Sequence, residues 1–193
     1  MTPPTTTPLP PTPVLETERL ILRPLEARDV SAVQRIFPQW DVVRFLGPAI
    51  PWPYPEDGAA TNFAQCMEKR ARGEQFYWAI TLKGHDELRG RIDLWPYDPE
   101  RRDMRGFWLD PELHGQGLMT EAAEAVTRFA FETLEWPFLY LTNAVENRAS
   151  ARVKEKQGAL EVGREPFQYV SGVGEKQVWL LTREAWQARR RER

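Results

Sequence analysis

Apolar positions along this chain switch between a strand-like and a helix-like period. Arg19 to Arg23 (Arg-Leu-Ile-Leu-Arg) is a short apolar run stopped by Pro24, and it predicts a first strand. Asp29 is placed to cap a helix in which Val30, Val33, Ile36 and Phe37 share one face. A Pro- and Trp-rich connection covers 47–55. A second helix is expected over 56–72, with Phe63, Cys66 and Met67 on its apolar side and Gly73 as its stop. Residues 76–82 and 87–95 read as strands around Lys83-Gly84-His85-Asp86, a hairpin signal, and 105–109 as the third strand of an antiparallel meander. Helical spacing returns over 120–133, with Ala122, Ala125, Val126, Phe129 and Ala130 facing inward. A strand at 138–141, a helix over 147–157 ending at Gly158, and strands at 160–169 and 177–182 complete the pattern. The order β-α-α-β-β-β-α-β-α-β-β describes an α/β chain built on a mixed sheet, with one parallel crossover through the helix at 120.

The ends differ from this middle. Pro and Thr fill residues 1–13 except Met1 and Leu9, and prolines lack the amide donor and fix φ, so 1–14 is expected as a disordered, solvated tail. The folded domain is expected over 15–186. The basic end, 187–193, reads as a solvated charge run; contact with ribosomal RNA or ribosomal proteins is the less favoured reading.

Composition narrows the class. The 193 residues suit one domain, which at this size needs no disulfide or metal to fold. One cysteine, Cys66, and two histidines, His85 and His114, leave no disulfide framework and no cysteine- or histidine-based metal centre. Lys and Arg total 26 against 28 Asp and Glu, a formal charge of −2, which does not favour non-specific nucleic-acid binding. No stretch approaches a membrane span, and the start has neither the basic nor the apolar region of a signal peptide. A soluble protein of a reducing, cytoplasmic compartment is expected.

The most informative segment is Trp108-Leu-Asp-Pro-Glu-Leu-His-Gly-Gln-Gly-Leu-Met-Thr-Glu-Ala. A strand, a turn with Gly115 and Gly117, and a helix start aim free N–H groups and the positive helix end at one point, where a pyrophosphate fits. An ordinary turn capped by Thr120 is the competing reading. A phosphate-binding loop of the Gly-Lys-Ser/Thr kind is absent. A dinucleotide fingerprint fails at Thr120, where it needs a third glycine, and at Asn143, where it needs an acid.

The segment resembles motif A of the GNAT superfamily of N-acetyltransferases, Arg/Gln-x-x-Gly-x-Gly/Ala, here His114-Gly115-Gln116-Gly117-Leu118-Met119. Glu146-Asn147-Arg148-Ala149-Ser150, followed by Lys156-Gln157-Gly158-Ala159, resembles the signature of the RimJ/RimL-like branch, which acetylates ribosomal-protein N-termini. Leu15-Glu16-Thr17-Glu18-Arg19-Leu20-Ile21-Leu22-Arg23-Pro24 is similar to that branch's opening. The resemblance implies a GNAT fold, with about seven strands, a splayed central strand pair and four main helices. It implies acetyl-CoA as donor, no metal, and a primary amine as acceptor, with room for a homodimer. The backbone near Leu109 would pair with the pantetheine. The turn from His114 and Gly115 through Gln116, Gly117, Leu118, Met119 and Thr120 would hold the pyrophosphate. Asn147 would cap its helix and meet the pantetheine end, and Ser150 would lie by the thioester sulfur as acid for the departing thiolate.

Two motif positions depart from the pattern, His114 and Met119, and for His114 a plain surface turn residue is the favoured reading over a chemical role. Met104 stands where many relatives carry a glutamate base. Asp93, in an otherwise apolar strand, is a substitute base; alternatively it pairs with Arg91 or Arg105. Tyr169 is a further candidate or a packing residue. Trp40, Trp52, Trp95 and Trp108 fall near the expected acceptor loops. Cys66, on a helix far from the glycine turn, leaves direct transfer without a covalent enzyme intermediate. The expected activity is N-terminal acetylation of a (ribosomal) protein. The alternatives are acetylation of a small amine such as an antibiotic, polyamine or amino acid, or a CoA-binding regulatory module with impaired catalysis.

Overall fold

The computed structural model describes residues 8–191. Two sheets carry the fold. The first is antiparallel throughout, in the order β1 (Leu15–Glu16), β2 (Leu20–Pro24), β3 (Phe76–Leu82), β4 (Gly90–Leu94) and β5 (Arg105–Leu109). The second places β8 (Gly172–Thr182) between β6 (Phe138–Ala144) and β7 (Leu160–Tyr169). The helices are α1 (Val30–Ile36), α2 (Trp40–Val43), α3 (Gly58–Ala71), α4 (Leu118–Arg128, continued by a π-helical turn, Phe129–Thr133), α5 (Arg148–Gln157) and α6 (Arg183–Arg191).

Each face of the first sheet buries its own cluster, because side chains alternate along a strand. Leu20, Leu22, Phe76, Trp78, Ile80, Ile92 and Leu94 meet Ala122, Val126 and Phe129 of α4 on one face. Tyr77, Ala79 and Trp108 meet Val33, Ile36, Ala59 and Cys66 of α1 and α3 on the other. Phe76, Trp78 and Phe129 pack as a triad of rings at 5.2–5.7 Å. Each such fully buried side chain contributes roughly 1.5–3 kcal/mol. The four expected helices are α1, α3, α4 and α5.

Several elements depart from the periodicity reading. Residues 8–13 of the expected tail lie against the fold: Leu9 N–H donates to Gly73 O at 2.8 Å and Trp78 Nε1 to Pro13 O at 2.7 Å. The cause is tertiary, since an extended proline-rich strand keeps free carbonyls that buried donors can take. Residues 1–7 and 192–193 lie outside the described residues. The basic end from 187 to 191 continues α6 rather than leaving it as a tail, anchored by Trp186 in the core. β4 starts at Gly90, not 87, and the turn before it is held by Arg23 Nε donating to Asp86 Oδ1 at 2.8 Å. β8 starts five residues before its expected position of 177. With β7 it forms a ribbon largely open to solvent, so no apolar alternation marks its start.

Candidate active site

The two sheets meet at a single point. Met104 N–H donates to Tyr140 O at 2.9 Å, and Tyr140 N–H points at Met104 Sδ at 3.3 Å. Beyond it β5 and β6 belong to different sheets, so the expected pair splays from this junction toward Leu109. Met104 is fully buried and its thioether cannot serve as a base; its backbone bond to Tyr140 makes it the pivot of the gap. Arg105, Phe107 and Leu109 turn toward α4 and α5, while Trp108 turns toward α1 and α3.

The glycine turn begins at the far end of β5. Asp110 accepts from Glu112 N–H at 3.1 Å and from Arg89 Nε at 2.9 Å, which holds a short 3-10 turn, Pro111–Leu113. His114 Nε2 sits 2.9 Å from Leu109 O, so this side chain braces the loop against its own strand. Gly115 and Gly117 have φ of +77° and +79°, a left-handed backbone that costs other residues about 1–2 kcal/mol. Gly117, not Thr120, is the N-cap of α4. Among the described residues, the N–H groups of residues 115–120 have no hydrogen-bond acceptor. A Cβ at Gly115 would meet nothing within 4 Å, so the turn borders open space at this residue.

A contact that periodicity cannot show clamps this turn. Glu121, in the first turn of α4, accepts from Thr17 Oγ1 at 2.6 Å, Arg19 N–H at 2.8 Å and Arg19 Nε at 2.7 Å. Arg19 Nη1 also donates to Gln116 O at 3.0 Å. Burial works against the Glu121 carboxylate, but the bonds from Thr17 and Arg19 outweigh it and hold the group below the usual glutamate value. The Thr-x-Arg of the opening motif is therefore a brace for the glycine turn.

Across the gap, Asn147 Oδ1 accepts from Ser150 N–H at 3.0 Å and caps α5, as its motif suggests. Ser150 is buried, and its Oγ lies 2.8 Å from Lys154 Nζ, one turn further on.

On the opposite face of β5 a cavity of about 420 Å³ opens between α1, α3 and the sheet, walled by Val33, Phe37, Ile50, Tyr54, Arg91 and Trp108. Trp108 is 7% exposed, and its Nε1–H has no partner among the described residues; neither has Arg91 Nε. Asp93 pairs with Arg91 (Oδ2 to Nη2, 2.9 Å), the alternative reading of its place in the strand, while its Oδ1 is buried without a partner. Arg105 takes no part; it binds Thr127 and Gln157 on the other face. Burial raises the Asp93 carboxyl above its ordinary value, with Arg91 pulling the other way. Cys66 is buried beside Arg91, and burial pushes its thiol up, so it stays protonated. Of the four tryptophans only Trp108 lines this cavity. Trp95 is buried with Nε1 on Asp103 O at 2.5 Å, and Trp40 and Trp52 pack together at 5.6 Å on the surface. The Tyr169 hydroxyl is buried without a partner, and burial raises its pKa with Glu146, Asp103 and Glu165 nearby.

Residues 19–160 match the acetyltransferase (GNAT) domain family. The chain belongs to this family. The N-acetyltransferase YnaD of Bacillus subtilis (strain 168), itself uncharacterized, is 25% identical over 150 residues, 77% of this chain and 84% of its own. The structure of Mycobacterium smegmatis RimJ in complex with CoA-disulfide superposes with a TM-score of 0.75 at 19% identity, covering 98% of this chain and 95% of that one. The ribosomal-protein-S5-alanine acetyltransferase from Vibrio fischeri gives 0.74 at 16% identity over 90% and 98%. These two structures share the fold with this acetyltransferase. Acetyl-CoA is the donor in the family, and the unpaired amides of the open glycine turn suit its pyrophosphate. Among the described residues no helix is long and apolar enough to cross a membrane, and no cluster of His, Cys, Asp or Glu suits a metal.

Two parts of the site escape sequence reading, the Arg19–Glu121 clamp and Lys154, whereas Trp108 and Arg91 are among the residues it singles out. Only Lys154 left a signal, its spacing of four from Ser150, which places both on one helical face.

Proposed function

We propose that this acetyltransferase moves the acetyl group directly to the free amine of a protein N-terminus, as expected of the RimJ/RimL-like branch. The observation that carries this reading is the pair of unpartnered buried donors, Trp108 Nε1 and Arg91 Nε, on an aromatic-walled cavity set against β5. A buried donor without an acceptor is costly, and a main-chain carbonyl behind an N-terminal residue removes that cost. The apolar wall of Val33, Phe37 and Ile50 suits a small first side chain. That the Vibrio fischeri enzyme is a ribosomal-protein-S5-alanine acetyltransferase supports the same substrate class, and such a substrate suits a cytoplasmic enzyme.

The residues divide the work. Amides of Gly115, Gln116, Gly117, Leu118, Met119 and Thr120 hold the pyrophosphate. The backbone at Leu109 and the Asn147 side chain hold the pantetheine, the Leu109 carbonyl sharing its lone pairs with His114. Positioning of amine and thioester across the splay contributes the largest share, on the order of 7–11 kcal/mol. An N–H on the open edge of β5 stabilises the developing oxyanion. Asp93 Oδ1 receives the proton released by the attacking nitrogen, and the Ser150 hydroxyl donates to the departing sulfur. The burial of Cys66 as a thiol supports transfer without an acyl-cysteine.

The test is release of free CoA thiol from acetyl-CoA with free N-terminal peptides, the same peptides blocked at the α-amine, polyamines and aminoglycosides. Turnover confined to the unblocked peptides is expected. Turnover on polyamines or aminoglycosides alone moves the substrate class to small amines, and no turnover with CoA still bound leaves a regulatory module.

A further inference from the structure

Lys154 stands out among the buried groups. It is 2% exposed, and its neighbour Arg105 is 4% exposed. Among the described residues neither cation forms an ion pair. Arg105 is held by Ala123 O, Thr127 Oγ1 and Gln157 Oε1, all neutral. Lys154 is held only by Ser150, at Oγ (2.8 Å) and at the carbonyl (3.2 Å), and by the face of Phe107, 5.4 Å from the ring centroid. Two cations in one buried site without an acid bonded to either are expensive unless an anion arrives. The Phe107 ring also lies 5.9 Å from the Arg105 guanidinium, so all three groups border the same side of β5. Asp103, just before β5, is the nearest acid that acts on Lys154, and burial raises it as well. A methionine or leucine at 154 would pack with none of this cost, so packing does not account for the lysine.

We propose that Lys154 is a positioning residue for the leaving group: it holds positive charge behind the Ser150 hydroxyl, so that Ser150 Oγ–H is aimed at the coenzyme sulfur and the pair stabilises the thiolate. The inference rests on the placement of Ser150 by the sulfur in the function proposed above. As the C–S bond breaks, its electron pair passes to sulfur. The Ser150 proton passes to sulfur, and a proton of the Lys154 ammonium passes to Ser150 Oγ. Asp93 Oδ1 takes the proton lost by the attacking nitrogen and yields it to solvent, from which Lys154 regains its own after the thiol leaves. Ser150 donates and never bonds to carbon in this step, because Lys154 donates to its oxygen. Burial and the adjacent Arg105 push the Lys154 pKa well down, with Asp103 opposing, and negative charge developing on the sulfur favours the ammonium as the C–S bond breaks.

The experiment reads the thiol of bound CoA rather than turnover. The thiolate absorbance of CoA on the full-length protein, measured against the complex with desulfo-CoA, is titrated for wild type, Lys154→Met and Ser150→Ala, with binding followed by calorimetry and melting followed for each. The bound thiol is expected to titrate at least about one pH unit lower in wild type than in either variant. Lys154→Met is expected to melt at the same temperature or higher. Equal thiol titration in all three proteins with CoA bound overturns the inference and leaves the proposed function standing. A lower melting temperature or loss of folding in Lys154→Met shows a structural lysine and also overturns it, as does an acetyl group found on Ser150 after incubation with acetyl-CoA. Failure of wild type to bind CoA at all removes the proposed function, and the inference with it.

Discussion

Arg19 and Glu121 meet at 2.7 Å although 102 residues separate them in the chain, and through Gln116 O the same guanidinium touches the glycine turn. The first strand hairpin thus sets the position of the helix N-terminus that is proposed to receive the pyrophosphate. Glu121→Gln keeps the shape and removes the charge. It is expected to weaken CoA binding about five- to tenfold, a cost near the low end for hydrogen bonds to charged groups because Arg19 is 46% exposed. Calorimetry checks it, and an unchanged affinity would show that the clamp is ornamental. Because Glu121 is depressed in the fold, its contribution to stability is full above the ordinary value of about 4.3 and is lost as pH falls through the lower folded value. Acid melting curves of wild type and Glu121→Gln should therefore converge below about pH 4.

Gly117→Ala isolates the backbone. Its φ of +79° is the obstacle rather than space, since a Cβ there would meet only Arg19 Nη2 at 3.7 Å. The expected loss is about 1–2 kcal/mol of stability, read by urea unfolding, together with more than about tenfold in CoA affinity, since the amides of a relaxed turn no longer converge. A variant that melts earlier but binds CoA as wild type does would separate the turn from the pyrophosphate.

Trp108→Phe removes an indole donor that has no partner among the described residues. Stability should hold or rise slightly, because an unsatisfied buried N–H disappears. KM for a peptide acceptor should rise several-fold with KM for acetyl-CoA unchanged. Equal effects on both substrates would place Trp108 outside the acceptor site.

Asp93→Asn tests two roles with two readouts. Leaving the buried Arg91 without its acid costs about 3–5 kcal/mol, and pairing the change with Arg91→Met should recover most of it. If Oδ1 takes the amine's proton, kcat falls on the order of 100-fold or more in Asp93→Asn, and the double variant recovers stability without recovering kcat. Recovery of both would reduce Asp93 to an ion-pair partner.

Much of the fold was readable because it is written in local chemistry. Pro24, Gly73 and Gly158 end elements through constraints of their own backbone, and the continuous apolar runs at Leu20–Leu22 and Phe76–Leu82 mark central strands, the second buried on both faces. The short α2 was not readable, since four residues do not complete a period. The end of the chain was misread for another reason. The run Arg189, Arg190 and Arg191 looks solvated in the sequence, but α6 is held by partners in distant elements: Trp186 Nε1 donates to Glu124 Oε1 at 3.0 Å and Arg190 Nη1 to Glu132 Oε1 at 3.0 Å.

By itself the sequence determined the order of the main elements from β2 to β8, apart from the short α2, together with the glycine turn and the Asn147 cap, because each depends on residues within a few positions of one another. Tertiary structure alone decided that Glu121 answers Arg19, that Asp93 faces Arg91 rather than Arg105, that Met104 forms the pivot of the splay, and that Lys154 is buried behind Ser150. Those outcomes turn on which strand edge and which helix face a side chain meets after collapse. Burial then sets their energies, through the cost of separating a charge from water without a partner.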